Sequence, residues 1–135
     1  MTTLIRLFLI FGAILISSPS FAFTDLCKME NDFLSQTTAQ TNEYFQRNLS
    51  GRRVEGKGVV EDVEAGPNKE CFIIVRCGNQ VFVNIPAKFE GSVKDLTVGR
   101  AISFTGECVD FEKAYCRNSD EKCISFILDT PSLRY

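Results

Sequence analysis

The stretch from Glu70 to Ile85, ECFIIVRCGNQVFVNI, decides the fold of this chain. Two apolar runs flank Gly78-Asn79, a two-residue turn with glycine first that is typical of a type II′ β-hairpin. A two-residue loop would place Val75 opposite Phe82 in the ladder. The stretch therefore predicts two antiparallel strands in a defined register.

Strand alternation assigns the side chains of this hairpin to two faces. One face is predicted to be the interior of the fold, with Phe72, Ile74, Val81, Val83 and Ile85. The opposite face is mixed in character and too apolar to be left bare. It carries Cys71, Ile73, Val75, Cys77, Gln80, Phe82 and Asn84.

Two explanations of this apolar outer face remain open. An N-terminal helix could pack on it, with Phe33 and Tyr44 supplying the cover. Alternatively, the face could bind a ligand. The candidate binding residues are then Ile73, Val75, Phe82 and Asn84, with Arg117 and Lys122 at the rim.

Short apolar runs separated by turn residues predict an all-β fold. Helical spacing precedes them from Leu26 onward, and that helix is predicted to end near Asn48 to Ser50, before Gly51. The segment from Pro86 to Gly99 has room for a short helix of one or two turns. Five strands with such an insert between the third and the fourth follow the order of an OB-fold barrel. The predicted strands are Arg53 to Glu64, Glu70 to Cys77, Gln80 to Ile85, Ala101 to Phe111 and Cys123 to Asp129.

Two further motifs carry a family resemblance. The stretch from Tyr44 to Glu64, YFQRNLSGRRVEGKGVVEDVE, resembles the opening of the anticodon-binding-like OB-fold domains, in which a helix leads into G-x-x-V-x-x-x-G-x-V. The stretch from Leu96 to Cys108, LTVGRAISFTGEC, is similar to the family's entry into the fourth strand. The resemblance covers most of residues 42–130 and implies an OB-fold. The predicted domain organisation is a helical segment over 23–50 followed by an OB-fold domain over 51–135. The resemblance also implies binding of oligonucleotides, oligosaccharides or proteins, but assigns no binding residue.

The first 22 residues have the features of a signal peptide. Arg6 is a short positive region, the run from Leu7 to Ile16 is apolar, and Ser20-Phe21-Ala22 places small residues at the cleavage site. No later apolar run of about 18 residues follows, so the mature chain is predicted to have no membrane span. The expected location is the periplasm or the extracellular space.

Six cysteines behind an export signal predict a disulfide framework with no free thiol. Cys71 and Cys77 lie about 20 Å apart on one predicted strand, which is beyond disulfide reach. The preferred pairing is Cys27–Cys77, Cys71–Cys116 and Cys108–Cys123. Closure between Cys116 and Cys123 is the rival arrangement.

The composition argues against several classes of function. The chain contains no histidine, which removes the histidine-dependent nucleophiles, histidine metal sites and the commonest general base. No cofactor or metal is expected, and the protein is predicted not to be an enzyme. Without Arg6 the chain has 14 basic and 17 acidic residues, a net charge of −3 that disfavours nucleic acid. The expected partner is a protein or glycan; the alternative is a structural subunit whose outer face a partner protein covers.

Overall fold

The computed structural model describes residues 23–29, 33–116 and 119–135. The predicted signal peptide, residues 1–22, and the candidate rim residue Arg117 lie outside the described residues. The helix and strands are α1 (Thr38–Asn48), β1 (Thr24–Asp25), β2 (Arg52–Ala65), β3 (Glu70–Arg76), β4 (Val81–Lys88), β5 (Ala101–Tyr115) and β6 (Lys122–Arg134).

The strands form one six-stranded sheet in which β2 to β6 close into a ring. Around the ring the order is β2-β3-β4-β6-β5, and β5 pairs with β2 again. Neighbours are antiparallel except β4 and β6, which are parallel. The short strand β1 adds to β2 in parallel. The predicted all-β class and all five predicted strands are therefore confirmed.

The regular helix before Gly51 begins later than the helical spacing predicts, whereas the predicted helical turn between the third and fourth ring strands is confirmed. Helix α1 begins only after Thr37, whose hydroxyl accepts a hydrogen bond from the Gln40 backbone N–H while the Gln40 side chain accepts one from the Thr37 N–H. This reciprocal capping box fixes the start of a helix. Between the third and fourth ring strands, the predicted helical turn is the 3₁₀ helix Gly91–Asp95.

The N-terminal segment, described over residues 23–29 and 33–50, packs against the ring, with β1 beside β2 and residues 33–50 beside β5 and β6. The Phe33 ring meets the Phe126 ring edge-on with centroids 5.4 Å apart. The Lys113 ammonium on β5 donates hydrogen bonds to the Phe33 and Gln36 carbonyls at 2.7 and 2.8 Å and to the Thr41 hydroxyl at 3.0 Å. The expectation that Phe33 and Tyr44 cover the outer face of β3 and β4 is therefore wrong.

The interior of the ring is filled by aliphatic and aromatic side chains from every ring strand. The segment from Leu26 to Leu49 contributes further buried side chains to the same cluster. The buried ring residues are Val54, Val60, Ile73, Val75, Val81, Val83, Ile85, Ile102, Phe104, Cys108, Ile124, Phe126 and Leu128.

The register of the β3–β4 hairpin differs from the prediction by one residue. Val75 lies opposite Val83 rather than Phe82. The ladder ends at Arg76, and the Cys77 N–H instead donates to the Val81 carbonyl at 3.0 Å. A one-residue slip moves every side chain of a strand to the other face. The inner residues of β3 are therefore Cys71, Ile73 and Val75, and the predicted interior positions Phe72 and Ile74 lie outside.

Two disulfides are present among the described residues. Cys27–Cys77 has a Cα–Cα distance of 5.2 Å and confirms the prediction. Cys116–Cys123, with a Cα–Cα distance of 5.0 Å, is the rival arrangement. The predicted bridges Cys71–Cys116 and Cys108–Cys123 are wrong, because Cys116 and Cys123 bond to each other and leave Cys71 and Cys108 as thiols. Although β5 and β6 are neighbours, Cys108 lies opposite Leu128 and Cys123 lies opposite Ala114, so these two cysteines do not face each other. The exclusion of a Cys71–Cys77 bridge is confirmed.

The two remaining cysteines are buried thiols, which contradicts the expected absence of free thiols. Burial, with a smaller contribution from Asp110, raises the pKa of the Cys108 thiol to about 12. Burial also raises the pKa of Cys71. A thiol that stays protonated reacts slowly, since the thiolate is the nucleophile.

We therefore expect no reaction with a thiol reagent in the folded protein at pH 8 and two reactive thiols per chain in denaturant. The folded state favours the protonated thiol of Cys108, whose pKa is raised to about 12. The resulting contribution to the free energy of unfolding is fully present below the ordinary thiol pKa of about 8.5 and is lost as the pH rises towards 12. Thiol titration with and without denaturant checks the count. Zero thiols in denaturant would contradict the described pairing.

Candidate functional site

An open groove of about 600 Å³ crosses the outer face of β3, β4 and β6. This volume is in the range of ligand-binding pockets. Among the described residues, none of those lining the groove comes from the N-terminal segment. The lining residues are Glu61, Asp62, Glu64, Phe72, Ile74, Arg76, Asn79, Phe82, Asn84, Ala114, Tyr115, Cys116, Ser119, Glu121, Cys123, Ser125 and Ile127.

The floor of the groove is apolar because alternate residues of three paired strands point outward. Ile74 lies opposite Asn84, and Asn84 lies opposite Ile127, so these three form one row across the sheet. The neighbouring row contains Phe82. Phe72 is 47% exposed, an unusual degree for a phenylalanine on a paired strand. The floor therefore offers apolar contact to a ligand.

One wall of the groove consists of carboxylates on β2. The pairing of β2 with β3 shifts between Val60 and Asp62, which is a β-bulge around Glu61. A bulge adds a residue to one strand and re-aims its side chains. Glu61 and Asp62, although adjacent in sequence, therefore both line the groove, and Glu64 follows on the same side.

The opposite wall is the connection between β5 and β6. The Cys116–Cys123 disulfide closes this loop, and the Cys116 N–H donates to the Glu121 carbonyl at 2.7 Å. Gln80 ties the base of β4 to this wall by donating from its side-chain amide to the Lys122 carbonyl at 2.9 Å. Tyr115 is 70% exposed at the end of β5. The disulfide thus holds this wall in place beside the floor.

The groove is acidic. Four carboxylates line it, from Glu61, Asp62, Glu64 and Glu121. Among the described lining residues the one cation is Arg76, whose Nε lies 3.5 Å from a Glu61 carboxylate oxygen. The described part of the chain contains no group of three or more His, Cys, Asp or Glu side chains arranged to hold a metal ion.

The predicted binding residues are distributed unevenly over this site. Phe82 and Asn84 line the groove. Ile73 and Val75 are fully buried in the ring, so their assignment to an outer face is wrong; the slip in register is the cause. Lys122 lies between two residues of the second wall but is not itself a lining residue; its carbonyl accepts the Gln80 hydrogen bond.

Sequence reasoning missed several lining residues. Phe72 and Ile74 fall on the predicted interior face because a two-residue loop gives a hairpin register that differs by one residue from the register of the structure. Ile127 lies on β6 and Tyr115 lies at the end of β5, so neither belongs to the β3–β4 hairpin from which the candidate face is predicted. The acidic triplet on β2 could have been found from the run Glu61-Asp62-x-Glu64, but alternation alone places adjacent acids on opposite faces.

Neither the protein-family models nor the curated proteins compared with this chain match it. Among the described residues, no helix is both long enough and apolar enough to cross a bilayer. The two disulfides indicate an oxidising, non-cytoplasmic environment.

Proposed function

We propose that the protein is an exported, non-enzymatic OB-fold module that binds a macromolecule or glycan in the groove across β3, β4 and β6. The strand order of the ring supports the OB-fold. Numbered one to five along the chain, the ring strands lie in the order 1-2-3-5-4, and strand 4 pairs with strand 1 to close the ring. The anticodon-binding-like resemblance points the same way. The two disulfides support a location in the periplasm or outside the cell.

The observation that carries the proposal is the exposure of apolar side chains on the outer face. Soluble proteins rarely expose large contiguous apolar patches, and those that they do expose often bind a ligand or another protein. Here Phe72, Ile74 and Phe82 lie together in a groove between two polar walls. The absence of histidine from the sequence supports binding rather than catalysis.

The experiment compares Phe72→Ala with the unsubstituted protein against a panel of immobilised peptides, glycans and oligonucleotides. We expect one class of ligand to bind the unsubstituted protein and to lose at least about tenfold in affinity with Phe72→Ala, as central apolar contacts do. Phe23→Ala is the matched control, because Phe23 is 42% exposed and Phe72 is 47% exposed, yet only Phe72 lines the groove.

Oligomeric state separates binding from the structural alternative. A monomer in light scattering, with ligand binding that depends on Phe72, supports the binding module. A stable oligomer that Phe72→Ala dissociates, with no ligand bound by either protein, would assign the face to subunit assembly and overturn the proposed function.

A further inference from the structure

We infer that the ligand of the groove is an extended, basic polypeptide segment in which apolar side chains alternate with lysine or arginine. This inference rests on the binding function proposed above and adds the chemistry of the ligand. Its basis is the combination of an apolar floor with acidic side chains on both walls.

The charge on the walls selects for cations. Glu61, Asp62 and Glu64 stand on the β2 wall, and Glu121 stands on the opposite wall. Arg76 is the one cation among the described lining residues, and it already contacts Glu61. Complementary potentials of this kind govern partner choice and association rate. Phosphate groups would be repelled here, and a neutral glycan would hydrogen-bond to the carboxylates through its hydroxyls but leave their negative charge uncompensated.

The floor adds a requirement for apolar groups. An apolar surface lies between the walls, formed by Phe72, Ile74, Phe82 and Ile127. Aromatic faces such as that of Tyr115 also attract cations. From β2 to β6 the groove spans three strand spacings, or about 14 Å. About four to five extended residues cover that width at ~3.3 Å each. Alternate side chains of an extended segment point to opposite sides, so the apolar ones would face the floor and the lysine or arginine ones would point away from it. The long stems of lysine and arginine let their charged ends bend back to the carboxylates of the walls.

The second cavity of the molecule lacks this combination. It lies beside the Cys27–Cys77 disulfide and has Phe104 as its one aromatic lining residue. Its charged side chains, Asp25, Glu55, Lys28, Lys57 and Arg134, are of both signs. Of these two cavities in the described part of the chain, the groove across β3, β4 and β6 is the one that combines acidic walls with an apolar floor.

The test measures binding of a fluorescent, end-blocked pentapeptide of alternating lysine and leucine by anisotropy. Three comparison probes have five units each. Two are pentapeptides, with glutamate in place of lysine in one and serine in place of leucine in the other, and the third is a single-stranded DNA of five nucleotides. A neutral chito-oligosaccharide completes the set. We expect the lysine–leucine peptide to bind at least about tenfold more tightly than any comparison probe, and its affinity to fall as salt is raised from 50 to 500 mM because charge attraction is screened.

Variants locate the interaction. Glu61→Gln/Glu64→Gln should weaken the lysine–leucine peptide about three- to tenfold, since each exposed charge pair contributes a modest amount. Glu70→Gln/Glu90→Gln is the matched control, because it also removes two exposed carboxylates and both lie outside the groove. Thermal melts establish that each variant is folded.

Two results would overturn the inference and leave the proposed function standing. One is tighter binding of the DNA, the oligosaccharide or the glutamate peptide that Phe72→Ala abolishes. The other is lysine–leucine binding that Glu61→Gln/Glu64→Gln and Glu70→Gln/Glu90→Gln weaken equally. An absence of lysine–leucine binding would by itself overturn the inference. An oligomer that Phe72→Ala dissociates, with no probe bound, would overturn the proposed function as well.

Discussion

Replacing Phe126 with alanine should lower the free energy of unfolding by about 3–5 kcal/mol, the range for large aromatic side chains in cores. Phe126 is fully buried on β6, and its ring packs edge-on against Phe33. The substitution would leave a cavity where the ring of strands meets the N-terminal segment. Equilibrium denaturation followed by circular dichroism measures the loss.

Phe72→Ala is the control for this experiment. Phe72 lies on the outer face and is 47% exposed, so its replacement should cost under about 1 kcal/mol, as surface substitutions usually do. Equal losses for Phe126→Ala and Phe72→Ala would mean that some part of the chain covers Phe72. That outcome would remove the groove as a surface open to ligands.

The sequence was sufficient to predict the existence and order of the strands because turn residues separate the apolar runs. It was insufficient for the register of β3. In the run Cys71-Phe72-Ile73-Ile74-Val75 every residue is apolar, so alternation does not distinguish the inner from the outer face. The interior accepts Ile73 and Val75, while Cys77 leaves the ladder and bonds to Cys27.

The cysteine pairing shows a similar limit. An even number of cysteines does not require that all of them pair. Cys71 and Cys108 lie in the ring interior, where a thiol packs as a small apolar group. Only the three-dimensional arrangement shows that their strands are not neighbours and that Cys116 instead closes the short loop with Cys123.

The acidic wall of the candidate site depends on one irregularity. In a regular strand Glu61 and Asp62 would point to opposite faces. The bulge between Val60 and Asp62 brings both carboxylates to the groove. Strand β2 pairs with β5 along its first half and with β3 along its second half, and the bulge lies just after the change of partner. The alternation of apolar residues in the sequence does not indicate where this change occurs.

Removing the Cys27–Cys77 disulfide should cost about 4 kcal/mol. The two cysteines are 50 residues apart in sequence, and the loop-entropy relation gives about this value for a loop of that length. The bridge also fixes the residues after β1 beside β2, where Gly56 lies so close to the Cys27 sulfur that a Cβ would clash with it. The double variant Cys27→Ala/Cys77→Ala avoids creating an unpaired thiol.

The matched control removes the other bridge with Cys116→Ala/Cys123→Ala. Its cysteines are 7 residues apart, for which the same relation gives about 2 kcal/mol. Denaturant midpoints at equal slope should therefore fall further for the long bridge than for the short one. If the short bridge proved the more stabilising, its main effect would lie in the folded β5–β6 wall rather than in the unfolded chain. Loss of the Cys116–Cys123 bridge would then weaken ligand binding together with stability.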